Sequence, residues 1–290
     1  MKKILTCFIT LIIASCSSED SGNQESELIS ISRNYYSGRS QQPYYFHKLN
    51  FCNNKLMNIQ EKNGDHTDFE YNDQNLVSKY QSFNANPDLQ ETRTYQYDER
   101  GRITAIDRKT QYQNQHYTTN FEFIYEPNRI MIFRDGEAVN ELGLDKNYNI
   151  ITNKLLSINL NYHTVFSYTN GNLMHFEPNT EVSPNLIPST CTYSYTKHKN
   201  NFNYQKYLFG KEWKKNVCLD YFTGTNNITQ LLDTTSDNAI AESLLTIGQT
   251  WHKNKYSYYF KKNGEILKEI TETTLSFGPI VRTELTYEYK

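Results

Sequence analysis

Apolar and polar residues alternate along most of this chain. In Tyr95-Gln96-Tyr97 and in Phe166-Ser167-Tyr168, two rings are separated by one polar residue. Side chains of a strand alternate between its two faces, so each pair of rings shares one face of a strand. Similar runs recur from about residue 45 to Leu285-Thr286-Tyr287-Glu288-Tyr289, which we expect to be the closing strand. The pattern therefore predicts β-strands along the body of the chain.

Turn signals separate the alternating runs. Asn63-Gly64, Asn170-Gly171, Asn263-Gly264 and Asp135-Gly136 each lie between two such runs. Asn-Gly is the strongest short signal for a hairpin, because both turn residues need positive φ. Consecutive hairpins build an antiparallel meander, one face of which can stay in water. The sequence therefore predicts an all-β fold of sequential antiparallel hairpins that form a strongly twisted or half-closed sheet.

Two segments in the C-terminal third predict short helices. Residues Asp237–Gly248 combine a polar start, apolar residues at helical spacing and a glycine stop. A second short helix is expected within Phe202–Leu208. No proline-rich linker divides the body of the chain, so residues 30–290 are predicted to form a single domain.

The N-terminus has the features of a secretion signal. Two lysines precede an apolar run of twelve residues, Ile4–Ser15, which is too short for a bilayer that needs about 20 residues. Residues 1–15 are therefore predicted to be a signal peptide. The ending Ile13-Ala14-Ser15-Cys16 resembles the lipobox of bacterial lipoproteins, which implies a lipid anchor on Cys16. The alternative is an ordinary signal that is cut near Ser15 and leaves Cys16 as a free thiol.

Residues 16–29 are predicted to be the lipidated cysteine and a flexible tether. The segment that follows Cys16 is polar, acidic and free of aromatic residues, so it cannot bury enough surface to fold. Ser17 and the pair Glu19-Asp20 resemble the start of surface-exposed lipoproteins of the Bacteroidota type. That resemblance implies an outer-membrane protein that faces the cell exterior, with a periplasm-facing orientation as the alternative.

One turn region resembles a known repeat. Tyr97-Asp98-Glu99-Arg100-Gly101-Arg102-Ile103 is similar to a YD repeat, the hairpin unit of RHS-type cell-surface proteins. Phe69–Val77 and Phe166–Leu173 keep the aromatic residue and the turn, but they have Asn72 and Thr169 where the repeat has Asp. The overall plan resembles single-domain lipoproteins with YD-like repeats, of uncharacterised function, in Bacteroidota-type envelopes.

Composition narrows the function classes. Apolar residues make up 37% of the chain and aromatic residues 14%, with 24 tyrosines. Much of the core must therefore come from rings, each of which removes about 150–250 Å² from water. The formal net charge of −2 argues against a nucleic-acid binder, because such proteins need a surplus of Lys and Arg.

Three cysteines remain after signal removal and lipidation, namely Cys52, Cys191 and Cys218. An oxidising compartment permits one disulfide, and a bridge between Cys191 and Cys218 would close the shortest loop. Three buried free thiols are the alternative, because an isolated cysteine usually behaves as a small apolar residue.

The chain lacks local motifs for chemistry. Its seven histidines have no metal-ligand spacing, so neither a metal nor another cofactor is predicted. No Gly-x-Ser-x-Gly elbow and no glycine-rich phosphate loop is present in the sequence. We therefore expect a non-catalytic protein, and an enzyme with a dispersed active site is the least favoured alternative.

Exposed aromatic side chains are the remaining candidates for ligand contact. Tyrosine and tryptophan combine a flat apolar face with a polar tip, which suits sugar rings and protein partners, although most repeat aromatics are expected to pack in the sheet. We expect a monomeric envelope protein that binds or scaffolds a glycan or a protein; the alternative is an immunity-like lipoprotein that sequesters one protein partner. The candidate contact residues are Tyr44, Tyr45, Trp213, Trp251 and Tyr259.

Overall fold

The computed structural model describes residues 26–290 except 39, 86–88, 114, 157–162, 179–188, 201–202, 204, 223–235 and 248. This part of the chain contains eighteen strands and two helices. The strands are β1 (Leu28–Ser37), β2 (Tyr45–Cys52), β3 (Lys55–Glu61), β4 (His66–Tyr71), β5 (Val77–Phe83), β6 (Leu89–Tyr97), β7 (Ile103–Tyr112), β8 (Gln115–Glu126), β9 (Arg129–Arg134), β10 (Glu137–Leu144), β11 (Ile150–Leu155), β12 (His163–Thr169), β13 (Asn172–Pro178), β14 (Ser189–Lys199), β15 (Asn238–Ile247), β16 (Thr250–Phe260), β17 (Ile266–Leu275) and β18 (Val281–Tyr289). The helices are α1 (Lys206–Phe209) and α2 (Trp213–Phe222), joined by a 3₁₀ turn.

The sheet closes into a barrel. Each strand pairs antiparallel with the next along the chain, and β1 pairs with both β2 and β18. Ile31 lies opposite Leu49 on one side and opposite Tyr287 on the other. The predicted half-closed sheet is therefore wrong. Closure pairs the backbone groups that two open edges would leave without partners. The sequence could not predict it, because an alternating pattern is local and does not show whether the first and last strands pair.

The two ends of the barrel differ in what joins the strands. At one end lie the turns that follow the even-numbered strands, the start of the described chain at Ser26, and its last residue, Lys290. The two helices belong to the connection between β14 and β15 at the same end, and they pack against β3 and β7. We call this the capped end, and α1 and α2 together the helical insertion.

Three turns at the capped end share one hydrogen-bonding pattern. In the turn between β6 and β7, the Asp98 Oδ1 accepts hydrogen bonds from the backbone N–H groups of Arg100 and Arg102, both at 2.9 Å. Asn72 and Asp145 accept the same two bonds from the residues two and four positions ahead of them. A short side-chain acceptor thus holds each turn closed. Asn72 accepts the same two backbone hydrogen bonds as Asp98, the Asp of the YD-like repeat.

Tyrosine hydroxyls connect successive hairpins at this end. Each of these tyrosines lies towards the end of a strand and donates to the backbone carbonyl of a buried aliphatic residue that follows the preceding turn; Tyr97, for example, donates to the Val77 oxygen at 2.6 Å. A buried hydroxyl needs such a partner. The other pairs are Tyr71 with Leu56, Tyr125 with Ile103, Tyr195 with Leu173, and Tyr258 with Ile240.

The main core fills the barrel at the capped end. The aliphatic residues that open the strands after the turns point inward and are buried, as are Leu208, Phe209 and Leu219 of the helical insertion. The Phe209 ring lies 6.0 Å from that of Tyr95 on the wall. Burial of these side chains, at about 25 cal/mol per Å² of apolar surface, is the main stabilising contribution at this end. The inward aliphatic residues are Leu56, Val77, Ile103, Ile130, Ile150, Leu173, Ile240 and Ile266.

Polar contacts also hold the helical insertion in the barrel. Asp220 of α2 accepts hydrogen bonds from the Arg93 guanidinium at 2.9 Å and from the Tyr95 hydroxyl at 2.8 Å. Asn216 accepts a bond from the Ile103 N–H at 3.0 Å and donates to the Gly101 carbonyl at 2.8 Å. The insertion is therefore fixed to the wall and not only packed against it.

The predicted helix at Asp237–Gly248 is wrong, because most of this segment is strand β15. β15 pairs with β14 on one side and β16 on the other, and pairing on both sides outweighs a local helical pattern. The helix expected within Phe202–Leu208 overlaps α1, whereas α2 was not predicted. The predicted closing strand is confirmed as part of β18.

The cysteine pairing is also corrected. Neither alternative, the predicted bridge or three free thiols, is correct. Cys191 on β14 and Cys218 on α2 are buried and form no disulfide, whereas Cys52 is disulfide-bonded. Burial raises the pKa of the Cys218 thiol to about 12, which keeps it protonated. The predicted signal peptide and the predicted lipidation site Cys16 lie outside the described residues.

The outward face of the wall carries many charges. Lys79 and Glu70 form one ion pair there at 3.0 Å, and Lys268 and Glu284 form another at 2.7 Å. A barrel that spans an outer membrane instead presents an outward apolar band about 25 Å tall. The outward face also carries exposed apolar side chains, among them Ile124 and Leu244. Separately, no helix in the described part of the chain is long and apolar enough to cross a membrane.

We predict that Tyr97→Phe lowers the free energy of unfolding by about 1 kcal/mol, because it removes the hydrogen bond to the Val77 carbonyl and keeps the ring. Tyr259→Phe is the matched control, since the Tyr259 ring is exposed on the outward face, and we expect a change below about 0.5 kcal/mol. Urea unfolding checks both variants. Equal midpoints for Tyr97→Phe and the unchanged protein would contradict a stabilising role for this bond.

Candidate ligand site at the end opposite the helices

The inner wall becomes polar towards the end opposite the helical insertion. Near the capped end, the inward positions are apolar, as in the paired residues Tyr287, Ile31, Leu49 and Ile59. Further along the strands, Asn254 bridges Ser243 and Thr273 by hydrogen bonds of 3.0 and 2.7 Å. An inner face that only packed would carry apolar residues throughout. We therefore take the polar part of the inner wall, which we call the polar wall, as the candidate site.

A row of ionisable side chains crosses this polar wall. The row runs across five neighbouring strands, β17, β18, β1, β2 and β3, through residues that lie directly opposite one another. It consists of Glu269, Arg33, His47 and, at its end, Glu61. Leu285 lies between Glu269 and Arg33. We call Glu269, Arg33, His47 and Glu61 the inner row.

Aromatic rings lie above the inner row. Tyr35 and Tyr45 occupy the next inward level towards the end of the barrel, and their ring centroids are 5.8 Å apart. The Tyr45 ring meets the His47 ring edge-on at 4.8 Å, and its hydroxyl donates to Glu61. Tyr44 extends the cluster, with its ring 6.3 Å from Tyr35. These contacts fix flat apolar faces next to charged and hydrogen-bonding groups.

Exposed apolar side chains surround the same end. Phe277 is 79% exposed and Ile280 is 51% exposed, both in the connection between β17 and β18. This connection bonds to its neighbours, since Gly38 N–H donates to the Ile280 carbonyl at 2.8 Å and Trp251 N–H donates to Ser276 Oγ at 3.1 Å. With Tyr44 (54% exposed) and Trp251 (40% exposed), these residues form what we call the apolar lip.

Burial shifts the pKa values within the inner row. It raises the pKa of Glu269 to about 7, although the Arg33 charge and a hydrogen bond with Thr271 act in the opposite direction. It lowers the pKa of His47, and the neighbouring Arg33 adds to this effect. Burial, with a smaller contribution from Asp65, raises the pKa of Glu61. Several shifted groups on one wall are typical of a functional site.

The inner row lacks the spacing of a hydrolytic carboxylate pair. Glu61 and Glu269 lie four strand spacings apart, which is about 19 Å along the wall at about 4.8 Å per strand. Paired carboxylates of glycoside hydrolases lie about 5–10 Å apart. His47 Nε2 is buried without a hydrogen-bond partner among the described residues, and no group of three or more His, Cys, Asp or Glu side chains there could hold a metal.

The structure brings together some of the aromatic residues singled out from the sequence. Tyr44 and Tyr45 lie together at the end with the polar wall. Trp251 lies at the same end, but on the outward face of β16, four strand spacings from β2. Trp213 lies at the capped end, where it begins α2 and lines a cleft of about 290 Å³. Tyr259 is outward on β16, eight residues from Trp251 and therefore about 26 Å away. The five residues do not form one site.

Sequence reasoning missed the inner row and half of the apolar lip. Arg33, His47 and Glu61 lie on three consecutive strands and Glu269 is far from them in the sequence, so the register of the five strands from β17 to β3 is needed to place them on one level. Phe277 and Ile280 had a local signal, because large apolar residues flank the turn dipeptide Gly278-Pro279. Apolar residues within a turn are exposed unless something covers them, and this signal could have found them.

Comparison with known proteins leaves the family open. No family model and no curated protein matches this chain. Among solved structures, a porin-like protein from Bacteroides uniformis matches with 12% identity and a TM-score of 0.45, over 91% of this chain and 96% of that one. A porin-like protein from Bacteroides vulgatus matches with 12% identity and a TM-score of 0.40, over 91% and 99%. Function is therefore argued from the residues of this chain.

We predict that Glu269 makes stability depend on pH. Its pKa is higher in the folded chain, at about 7, than the ordinary value of 4.5, so its contribution is complete below about pH 4.5 and is lost as the pH rises to about 7. Relative to Glu269→Gln, the unchanged protein should lose stability between pH 5 and 8. Urea midpoints measured across this range test the effect.

The matched control is Glu272→Gln, which removes one carboxyl from the exposed face of the same strand. It corrects for the change in net charge. A constant difference in midpoint between Glu269→Gln and the unchanged protein, at every pH, would contradict a shifted Glu269.

Proposed function

We propose that this chain is a lipid-anchored outer-membrane protein that binds a glycan, without catalysis, at the polar wall and apolar lip. The observation that supports this best is the position of aromatic and apolar side chains over a row of charged groups. Sugars present apolar ring faces and many hydroxyls, so they need both kinds of partner. The rings supply stacking faces, while Arg33, His47, Glu61 and Glu269 supply hydrogen bonds.

The direction of the chain supports an outward-facing site. If Cys16 carries lipid, ten residues lead from it to Ser26 at the capped end, a reach of at most about 36 Å. The apolar lip lies at the other end of β1, whose ten residues span about 33 Å. An anchor at Cys16 thus places the capped end near the membrane and the lip away from it.

The binding proposal predicts loss of affinity when the lip is truncated. The mature chain from residue 16, with Cys16→Ser to remove the lipid, is tested on a panel of immobilised glycans and then by calorimetry with the best binder. We expect Trp251→Ala and Phe277→Ala each to weaken binding about tenfold, since a central aromatic contact contributes 1 kcal/mol or more.

The matched control is Tyr259→Ala, an exposed ring on the same strand as Trp251 but at the capped end. It should bind as the unchanged chain does. No saturable binding to any glycan would overturn the carbohydrate assignment, and an equal loss in the Tyr259→Ala variant would show that the effect is not local to the lip.

The anchoring proposal predicts that Cys16→Ser abolishes incorporation of radiolabelled fatty acid when the full chain is produced in a Gram-negative host. Cys7→Ser is the matched control, because it changes the other cysteine of the N-terminal segment and should leave labelling intact. Labelled Cys16→Ser protein in the membrane fraction would contradict the anchor.

A protein partner is the second candidate, and the exposure of Phe277 and Ile280 favours it. Contiguous exposed apolar side chains mark protein-binding surfaces as well as ligand grooves. If the glycan panel shows no binding, crosslinking from the lip in the cell envelope is the test of this alternative.

A further inference from the structure

We propose that a second site, at the capped end, binds a single acidic sugar residue in the cleft beside Trp213. This cleft lies between the turn that joins β10 to β11, the end of β12 and the start of α2. Its volume is about 290 Å³, close to the lower limit of about 300 Å³ for small-molecule sites, so it suits one sugar ring and not a chain. We call it the Trp213 cleft.

Contacts between described residues hold the two sides of the Trp213 cleft together. Lys215 of α2 lies over the Tyr148 ring, with its Nζ 4.6 Å from the ring centroid. Lys214 forms an ion pair with Asp237, and the Asp237 N–H donates to the Gly171 carbonyl at 3.1 Å. The walls of the cleft are therefore fixed relative to one another.

The Tyr168 hydroxyl, on the β12 side of the cleft, departs from the pattern of its counterparts. In five places, a tyrosine near the end of one strand donates to the carbonyl of the aliphatic residue that opens the strand before it, as Tyr97 does to Val77. Tyr168 and Ile150 hold the same two positions on β12 and β11, and both line the cleft. The Tyr168 hydroxyl nevertheless makes no hydrogen bond to any described residue. Burial raises its pKa, so it keeps its proton and is a donor for a ligand oxygen.

Two aromatic rings line the cleft beside this hydroxyl. Trp213 is half-buried, and Tyr148 is 53% exposed. Tyr148 comes three residues after Asp145, at the place that Gly101 and Asn75 take in the two turns with the same hydrogen bonds. Its φ of 62° is one that bulky residues rarely adopt, so tyrosine lowers stability here. An exposed ring kept at such a cost indicates a contact with a ligand, and flat ring faces suit sugar rings.

Lys211 is the cation of the cleft that is available to a ligand. Lys214 is paired with Asp237, and Lys215 is paired with Glu212 at 3.2 Å. Lys211 is exposed and forms no ion pair with any described residue. An ammonium group next to two rings and a hydroxyl donor matches a sugar that carries a carboxylate, because charge-assisted hydrogen bonds are the stronger ones.

The experiment follows the fluorescence of Trp213. The chain starts at residue 16 with Cys16→Ser, and Trp251→Phe removes the other of its two tryptophans. The probes are glucuronate and its neutral counterpart, glucose. We expect a saturable change with glucuronate and at least about tenfold weaker binding of glucose, which lacks the bond to a charged group. Lys211→Gln should remove this difference, and the control Lys48→Gln, exposed on the outward wall, should keep it.

A pair of tyrosine variants separates binding from folding. Tyr168→Phe should weaken glucuronate binding about fivefold, as expected for one neutral hydrogen bond, and should leave the urea midpoint unchanged. Tyr97→Phe loses its bond to Val77, so it should lower the midpoint and leave binding unchanged.

No saturable change in Trp213 fluorescence, equal affinity for both sugars, or unchanged glucuronate affinity in Tyr168→Phe would overturn the proposal. Phe277→Ala should leave the Trp213 signal unchanged, because Phe277 lies at the other end of the barrel. The result is therefore independent of glycan binding at the apolar lip.

Discussion

The barrel depends on burial of the apolar core at the capped end, which is organised by a repeated hydrogen bond from a tyrosine hydroxyl to the backbone of the preceding hairpin. This bond places an aliphatic side chain and a ring side by side on the inner face of the capped end, as with Val77 and Tyr97. Basic side chains complete the unit in several places, since Arg102 lies over the Tyr125 ring at 4.1 Å and Lys55 over Tyr71 at 5.2 Å. Each hairpin thus stabilises the next through local contacts.

The helical insertion allows the interior of the barrel to be apolar at one end and polar at the other. With Leu208, Phe209 and Leu219 buried at the capped end, the apolar core is concentrated there. The remaining inner wall is then free to carry polar side chains that a fully packed barrel would have to exclude. Arg93 and Asp220 form the boundary, because their ion pair at 2.9 Å joins the wall to the insertion.

Local patterns in the sequence predicted many of the hairpins and turns, but not the features that depend on which strands pair. Alternating rings and Asn-Gly pairs placed the hairpins, and β18 lies where the terminal alternation predicted it. The helix predicted at Asp237–Gly248 is a strand because neighbours on both sides pair with it. Closure and the level shared by Arg33 and Glu269 depend on pairing between the first and last strands, which no local window contains.

The seam between β1 and β18 also sets an order of events during synthesis. Leu28 pairs with Tyr289 near the two ends of the described chain, so the barrel cannot close until its last strand has left the ribosome. Until then β1 has one partner, β2, and an exposed edge that invites pairing with another chain. The first described strand is therefore among the last to be completed, and the chain carries a long, unfinished sheet until its last described strand is made.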